Sequence, residues 1–185
     1  MDVRKGGSGM RALNADEIEV RVGQVFQKGV SMLLYKNARV DMAILDEIYG
    51  EFGWMCDYKE IKGNMYCGIA VLNEASGDWV WKWDCGTESN TEREKGEASD
   101  AFKRAGFRWG IGRELYTAPF IWLNVATKPK ASGKGYELNN PRELNGIFVS
   151  QIKTEEVNGK YKITALELSQ RAQGKDMVVY QWKER

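Results

Sequence analysis

Between Trp54 and Asp84 the chain reads as three strands joined by two tight turns. Trp54-Met-Cys-Asp-Tyr-Lys-Glu-Ile leads through Gly63-Asn64 into Met65-Tyr-Cys-Gly-Ile-Ala-Val-Leu72, and Ser76-Gly77-Asp78 leads into Trp79-Val-Trp-Lys-Trp-Asp84. Turns this short leave no room for the crossover that a parallel pair needs, roughly a dozen residues. The segment is thereby held to an antiparallel meander and away from βαβ units. Upstream, Asn14-Ala-Asp-Glu caps a short helical turn, and Ile18-Glu-Val-Arg-Val alternates as a half-buried strand does. Gln27-Lys-Gly turns the chain into a second strand over 30–35. Val40, Ile44, Leu45 and Ile48 recur at helical spacing, which predicts a helix over 40–49 that Gly50 ends. The strongest helical pattern runs from about Thr91 to about Trp109, with Ala98, Ala101, Phe102, Ala105 and Trp109 as its apolar stripe. Phe120-Ile-Trp-Leu is a further strand, and Lys128-Pro-Lys-Ala-Ser-Gly-Lys-Gly is expected to be a mobile basic loop. The runs 147–153 and 161–168 flank Asn158-Gly159, a hairpin signal, and 177–182 is a last strand.

With 185 residues, the chain suits one domain over 12–185, preceded by a flexible Gly-rich tail over 1–11. That tail has no apolar run of the secretory kind, and no uncharged apolar stretch approaches the ~20 residues of a membrane span. Lys plus Arg number 27 against 26 for Asp plus Glu, so a nucleic-acid binder would need its cations gathered on one face. The complete absence of histidine removes Ser-His-Asp and Cys-His triads and His-based zinc sites together. Cys56, Cys67 and Cys85 are odd in number and widely spaced, which fits small apolar side chains in a reducing, intracellular setting.

The long helix carries a charge step. Glu92, Glu94, Glu97 and Asp100 occupy its first half; Lys103, Arg104, Arg108 and then Arg113 follow with no acid among them. Acids at the N-terminus and bases at the C-terminus complement the helix dipole, worth about 0.3–1 kcal/mol per charge. A one-signed cluster goes further, because cations on one helix face repel unless they share an anion, and a phosphate is the alternative reading. Trp79, Trp81 and Trp83 alternate and so share one strand face; a core stripe is the default, a platform for stacked bases the alternative. Gly110-Ile-Gly112 follows a helix and lacks a third glycine, so it is no dinucleotide fingerprint, and no Gly-Lys-Ser/Thr phosphate loop exists. Asp46 with Glu60-Ile-Lys62 imitates the layout of a magnesium-dependent nuclease, at a spacing common by chance.

Glu94-Lys-Gly-Glu-Ala-Ser-Asp-Ala-Phe-Lys-Arg-Ala-Gly106 resembles the hallmark helix of the Rad fifty-two/Rad twenty-two family of DNA single-strand annealing proteins. The continuation Phe107-Arg-Trp-Gly-Ile-Gly-Arg-Glu-Leu-Tyr116 is similar to the phage and bacterial branch, and Leu34-Tyr-Lys-Asn-Ala-Arg-Val followed by Phe52-Gly-Trp54 looks like the family's strand–turn–helix entry. The likeness covers roughly residues 18–123. It implies an α+β fold: a curved antiparallel sheet built from a hairpin, a helix and a meander, crossed by a long central helix, with extra C-terminal strands here. It implies a non-enzymatic, cofactor-free function: rings or arcs of subunits hold single-stranded DNA in a basic groove and anneal complementary strands without ATP, in recombination and repair. Lys103 and Arg104 fall on the family's DNA-contacting pair, Lys95 on another basic position, and Arg21 beside an arginine ahead of the first hairpin, across a loop of different length. Phe107 stands where eukaryotic members carry an arginine, and the adjacent Arg108 is the substitute. Implied partners are single-stranded DNA, further copies of the chain, and a phage exonuclease or host single-strand-binding protein, in the cytoplasm of a bacterial host. Protection of DNA 3′ ends without annealing, metal-dependent nuclease action and a purely structural oligomer are the competing functions.

Overall fold

A computed structural model describes residues 9–86 and 93–184, with the side chains of 93–95 left aside. The architecture is α+β, with two α-helices and four antiparallel sheets among the described residues. The chain divides into two compact units, one of the described residues up to Ala12 with Lys36–Arg113, the other of Leu13–Tyr35 with the residues from Glu114 onward.

In the first unit, helix α1 spans Ala38–Tyr49, two residues earlier than its apolar spacing predicts. Asn37 sets that start, because its side chain accepts from the backbone N–H groups of Arg39 (2.9 Å) and Val40 (3.3 Å). Gly50, at φ 74°, ends the helix as expected. The meander forms as read, in order β3 (Trp54–Ile61), β4 (Asn64–Asn73) and β5 (Asp78–Cys85), counting two earlier strands in the other unit. Lys62 and Gly63 make its first turn with φ 54° and 76°, the mirror-image turn that matches strand twist. Helix α2 spans Arg93–Trp109 and lies on β4 and β5; the expected start at Thr91 falls outside the described residues. Its stripe is the unit's core: Ala101, Phe102, Ala105 and Trp109 are buried against Cys67, Ile69 and Val71. The Trp109 indole donates to the Ile69 carbonyl at 2.9 Å, and Phe102 meets Trp54 edge-on at 6.1 Å. Met10 is buried too, and Arg11 pairs with Glu47, while residues 1–8 of the expected tail lie outside the description.

The second unit opens with a 3-10 turn at Ala15–Glu17, where the Glu17 carboxylate accepts from the Asn14 N–H at 2.8 Å. Strands β1 (Glu19–Phe26), β2 (Gly29–Tyr35) and β6 (Ile121–Leu123) form one sheet, in that order. The hairpin thus pairs with β6 instead of extending the β3–β4–β5 meander, and the single sheet expected from the sequence is several smaller ones. Lys128–Gly135 is not a loop alone: β7 (Thr127–Pro129) and β8 (Tyr136–Leu138) pair across it, with the Lys130 N–H donating to Gly135 at 3.0 Å. Strands β9 (Ile147–Val157), β10 (Lys160–Ala172) and β11 (Lys175–Lys183) form the last sheet, turned at Asn158-Gly159 and at Gln173-Gly174. Val149, Ile163, Leu166 and Leu168 are its buried apolar side chains, and Ser169 is buried beside them.

One buried charge pair ties α1 to α2. Asp41, fully buried on α1, accepts from the Lys36 ammonium, which also reaches the Lys103 carbonyl at 3.4 Å. Burial raises the Asp41 carboxyl to about 6, against the lowering pull of Lys36 and Lys103. Gly106 makes the approach possible, since a Cβ there would lie 2.2 Å from Asp41 Oδ1. Gly106→Ala is therefore expected to cost about 1–3 kcal/mol in denaturant unfolding. Because the folded pKa of Asp41 lies above its unfolded value of 3.8, its contribution is greatest at low pH. That contribution falls by about 2–3 kcal/mol as pH rises from 4 through 6. The stability of the wild type relative to Asp41→Asn should drop across that window in parallel melts.

Candidate nucleic-acid interface

The C-terminal half of α2 packs beside β5, and that neighbourhood sets where its cations go. Arg104 and Arg108 stand one turn apart and turn toward β5. Arg104 Nε lies 3.3 Å from Asp84 Oδ1 and Arg108 Nε 2.8 Å from Oδ2. Both guanidiniums stay exposed, with side chains 47% and 59% accessible, whereas Asp84 is mostly covered. Burial alone would push the Asp84 carboxyl up; the hydrogen bonds from Arg108 and the Cys85 N–H, with both arginine charges, hold it below its ordinary value. Two further cations meet at the helix end. Arg113 donates through Nε to the Phe107 carbonyl (2.8 Å) and through Nη2 to the Arg108 carbonyl (2.7 Å). Lys82, on β5 between two tryptophans, reaches the same Arg108 carbonyl at 3.3 Å while lying 3.9 Å above the Trp109 ring. Burial, then the nearby Arg113 charge, lowers the Lys82 pKa.

Four cations thus gather around the last turns of α2, and Asp84 is the one carboxylate in contact with them among the described residues. Capping of orphan carbonyls accounts for Lys82 and Arg113. It does not account for Arg104 and Arg108, whose Nε groups share one acid while the guanidiniums remain open to water. An oxyanion placed there would meet forked donors already held in position.

Lys103 and Arg104, adjacent in sequence, take different partners. Lys103 sits about 100° round the helix, on the α1 side, with its ammonium 4.0 Å from Asp100. Lys95 lies in α2, and its side chain is outside the described residues. Arg21 is exposed on β1 of the other unit, its guanidinium 5.1 Å above the Tyr35 ring. Asp46 accepts from the Trp54 indole at 2.7 Å, at one end of β3. Glu60 stands six residues further along that strand, about 20 Å away at 3.3 Å per residue. The two carboxylates suggested as a metal pair are not brought together, and among the described residues no cluster of three metal-ligating side chains occurs.

The Trp79–Trp81–Trp83 stripe is on the face of the meander that α2 does not cover, contrary to its default reading as core. Residues paired directly across the strands share a face. Ile69 and Cys67 pair with Lys82 and Asp84 on the α2 side, and Leu72, Ala70 and Gly68 pair with Trp79, Trp81 and Trp83 on the other. Lys82 was hidden within this stripe in the sequence; its place one residue out of phase with the tryptophans is the signal that assigns it to the helix side.

No family model, curated protein or solved structure matches this chain.

Asp84→Asn removes the acid that the two arginines share. The variant is expected to bind a polyanion such as heparin more tightly, with a salt slope steeper by about one. Salt-gradient elution from immobilised heparin checks this, and earlier elution than wild type would contradict it.

Proposed function

We propose that this chain is a single-stranded-DNA-binding protein that anneals complementary strands without ATP, working as a ring or arc of copies in homologous recombination and repair. The observation that carries the reading is the gathering of Arg104 and Arg108 on Asp84, with Lys82 and Arg113 on the Arg108 carbonyl, at the end of the helix whose sequence resembles that of the Rad fifty-two/Rad twenty-two annealing proteins. The element order of two strands, a helix, a three-stranded meander and a second helix agrees with that family's, and its curved sheet crossed by the helix is proposed for the assembled form. The setting that accompanies the reading is the cytoplasm of a bacterial host, with a phage or prophage origin. No helix among the described residues is long and apolar enough to cross a membrane, which is compatible with it.

The chemistry needs no bond to be made or broken. Two complementary strands repel through their phosphates. Arginine and lysine contacts neutralise that charge and release condensed counterions, so affinity falls steeply with salt. Contacts to phosphate carry no sequence information, so any strand can be held. Repeating the site around an assembly keeps many nucleotides extended, and base pairing itself supplies the driving free energy. The residues proposed to hold DNA are Arg104 and Arg108 first, with Lys82 and Arg113 behind them. Lys103 is proposed to hold the strand from the α1 flank, and Lys95 and Arg21 keep the contact roles that the resemblance implies.

Two labelled complementary oligonucleotides mixed with the protein, without nucleotide, should pair several-fold faster than alone. Arg104→Ala with Arg108→Ala should abolish the acceleration and lower the single-strand salt slope by about 1.4, at 0.7 per phosphate contact. Binding without acceleration would move the reading to end protection, and no binding at low salt would remove it.

A further inference from the structure

The strand that carries Lys82 and Asp84 toward α2 carries three tryptophans on its opposite side. Strand β5 is the outer strand of its sheet, so both sets of side chains flank one free edge among the described residues. Trp79 and Trp81 are each 37% exposed, a large area for indole rings. Trp81 and Trp83 are stacked, 5.4 Å between centroids and within 20° of parallel. The Trp83 ring lies over Gly68, where a Cβ would come within 2.4 Å of it, and Trp81 is paired with the fully buried Ala70. Small residues on the central strand thus let the indoles lie flat. The charges on this face cancel: Lys59 lies 4.2 Å above Trp83 and pairs with Asp57 at 3.8 Å. The surface is flat, aromatic and near neutral, and its cationic counterpart is on the far side of the same strand.

We infer that the Trp79–Trp81–Trp83 face is a stacking platform for the bases of single-stranded DNA whose phosphates are held by the α2 cations. The inference rests on the DNA-binding reading above and adds the groups that take the bases. The Cα atoms of successive tryptophans on one strand face repeat about every 6.6 Å, and the Trp81 and Trp83 rings, 5.4 Å apart, close up into one aromatic surface. Base–aromatic stacking is indifferent to sequence, because every base has a π-face. It also leaves the pairing edge of the base free, which annealing requires.

The test compares a thymidine oligonucleotide with an abasic oligonucleotide of equal length, by anisotropy and by quenching of intrinsic tryptophan fluorescence. The wild type is expected to bind the thymidine strand more tightly and to be quenched by it alone. Trp81→Ala should weaken thymidine binding about tenfold while abasic affinity and salt slope stay as they were. Trp81→Phe should restore most of the difference, which separates stacking from misfolding. Arg104→Ala with Arg108→Ala should weaken both strands alike. Equal wild-type affinity for the two strands overturns the platform and leaves DNA binding standing. An unchanged preference in Trp81→Ala, with a smaller particle in sedimentation, overturns it in favour of contact between copies. Failure of the wild type to bind either strand at low salt overturns both readings.

Discussion

Helix α2 can serve as a platform for charge only because it is pressed close to α1 at one point. Gly106 has no side chain, so Asp41 comes within contact distance of the helix backbone, and Lys36 bridges from Asp41 to the Lys103 carbonyl. The arrangement is a buried ion pair, the kind of contact that costs desolvation and gives little net stability. Its effect is geometric. It pins α2 at the level of Lys103, while Trp109, donating to Ile69, pins the end of the helix. Between the two anchors the polar face of α2 is held at a set angle to β5.

That angle explains the electrostatics. Arg104 and Arg108 flank the buried stripe of Ala101 and Ala105 and project along the β5 side, where Asp84 receives them. Two guanidiniums on one carboxylate leave a net positive site in which each cation is hydrogen-bonded, and water screens the repulsion that remains. The whole chain is near neutral because acids are distributed elsewhere, so its overall charge conceals a locally basic surface.

Much of the fold could be read from the sequence because it is local. The turn at Asn158-Gly159, the stop at Gly50 and the apolar stripe of α2 all follow from backbone preferences and periodicity, and the first meander turn lies at Lys62-Gly63, one residue before the expected Gly63-Asn64. Sheet membership did not follow, because the choice of β6 as partner of β2 is a long-range pairing that alternation cannot specify. The charged core was equally hidden: Asp41 and Lys36 look like surface residues until Gly106 admits them. At the site, Arg104 and Arg108, one turn apart, meet on Asp84, while Lys103 next to Arg104 lies about 100° round the helix and meets Asp100. Lys82 and Asp84 belong to another element and could be found only once β5 was set against α2.

The shared carboxylate also governs how the two arginines are presented to their surroundings. Asp84 takes the Nε of each, while both side chains stay about half accessible to water. The acid offsets part of their charge at short range and keeps two long side chains ordered, so little rotamer freedom is left for either to lose in a further contact.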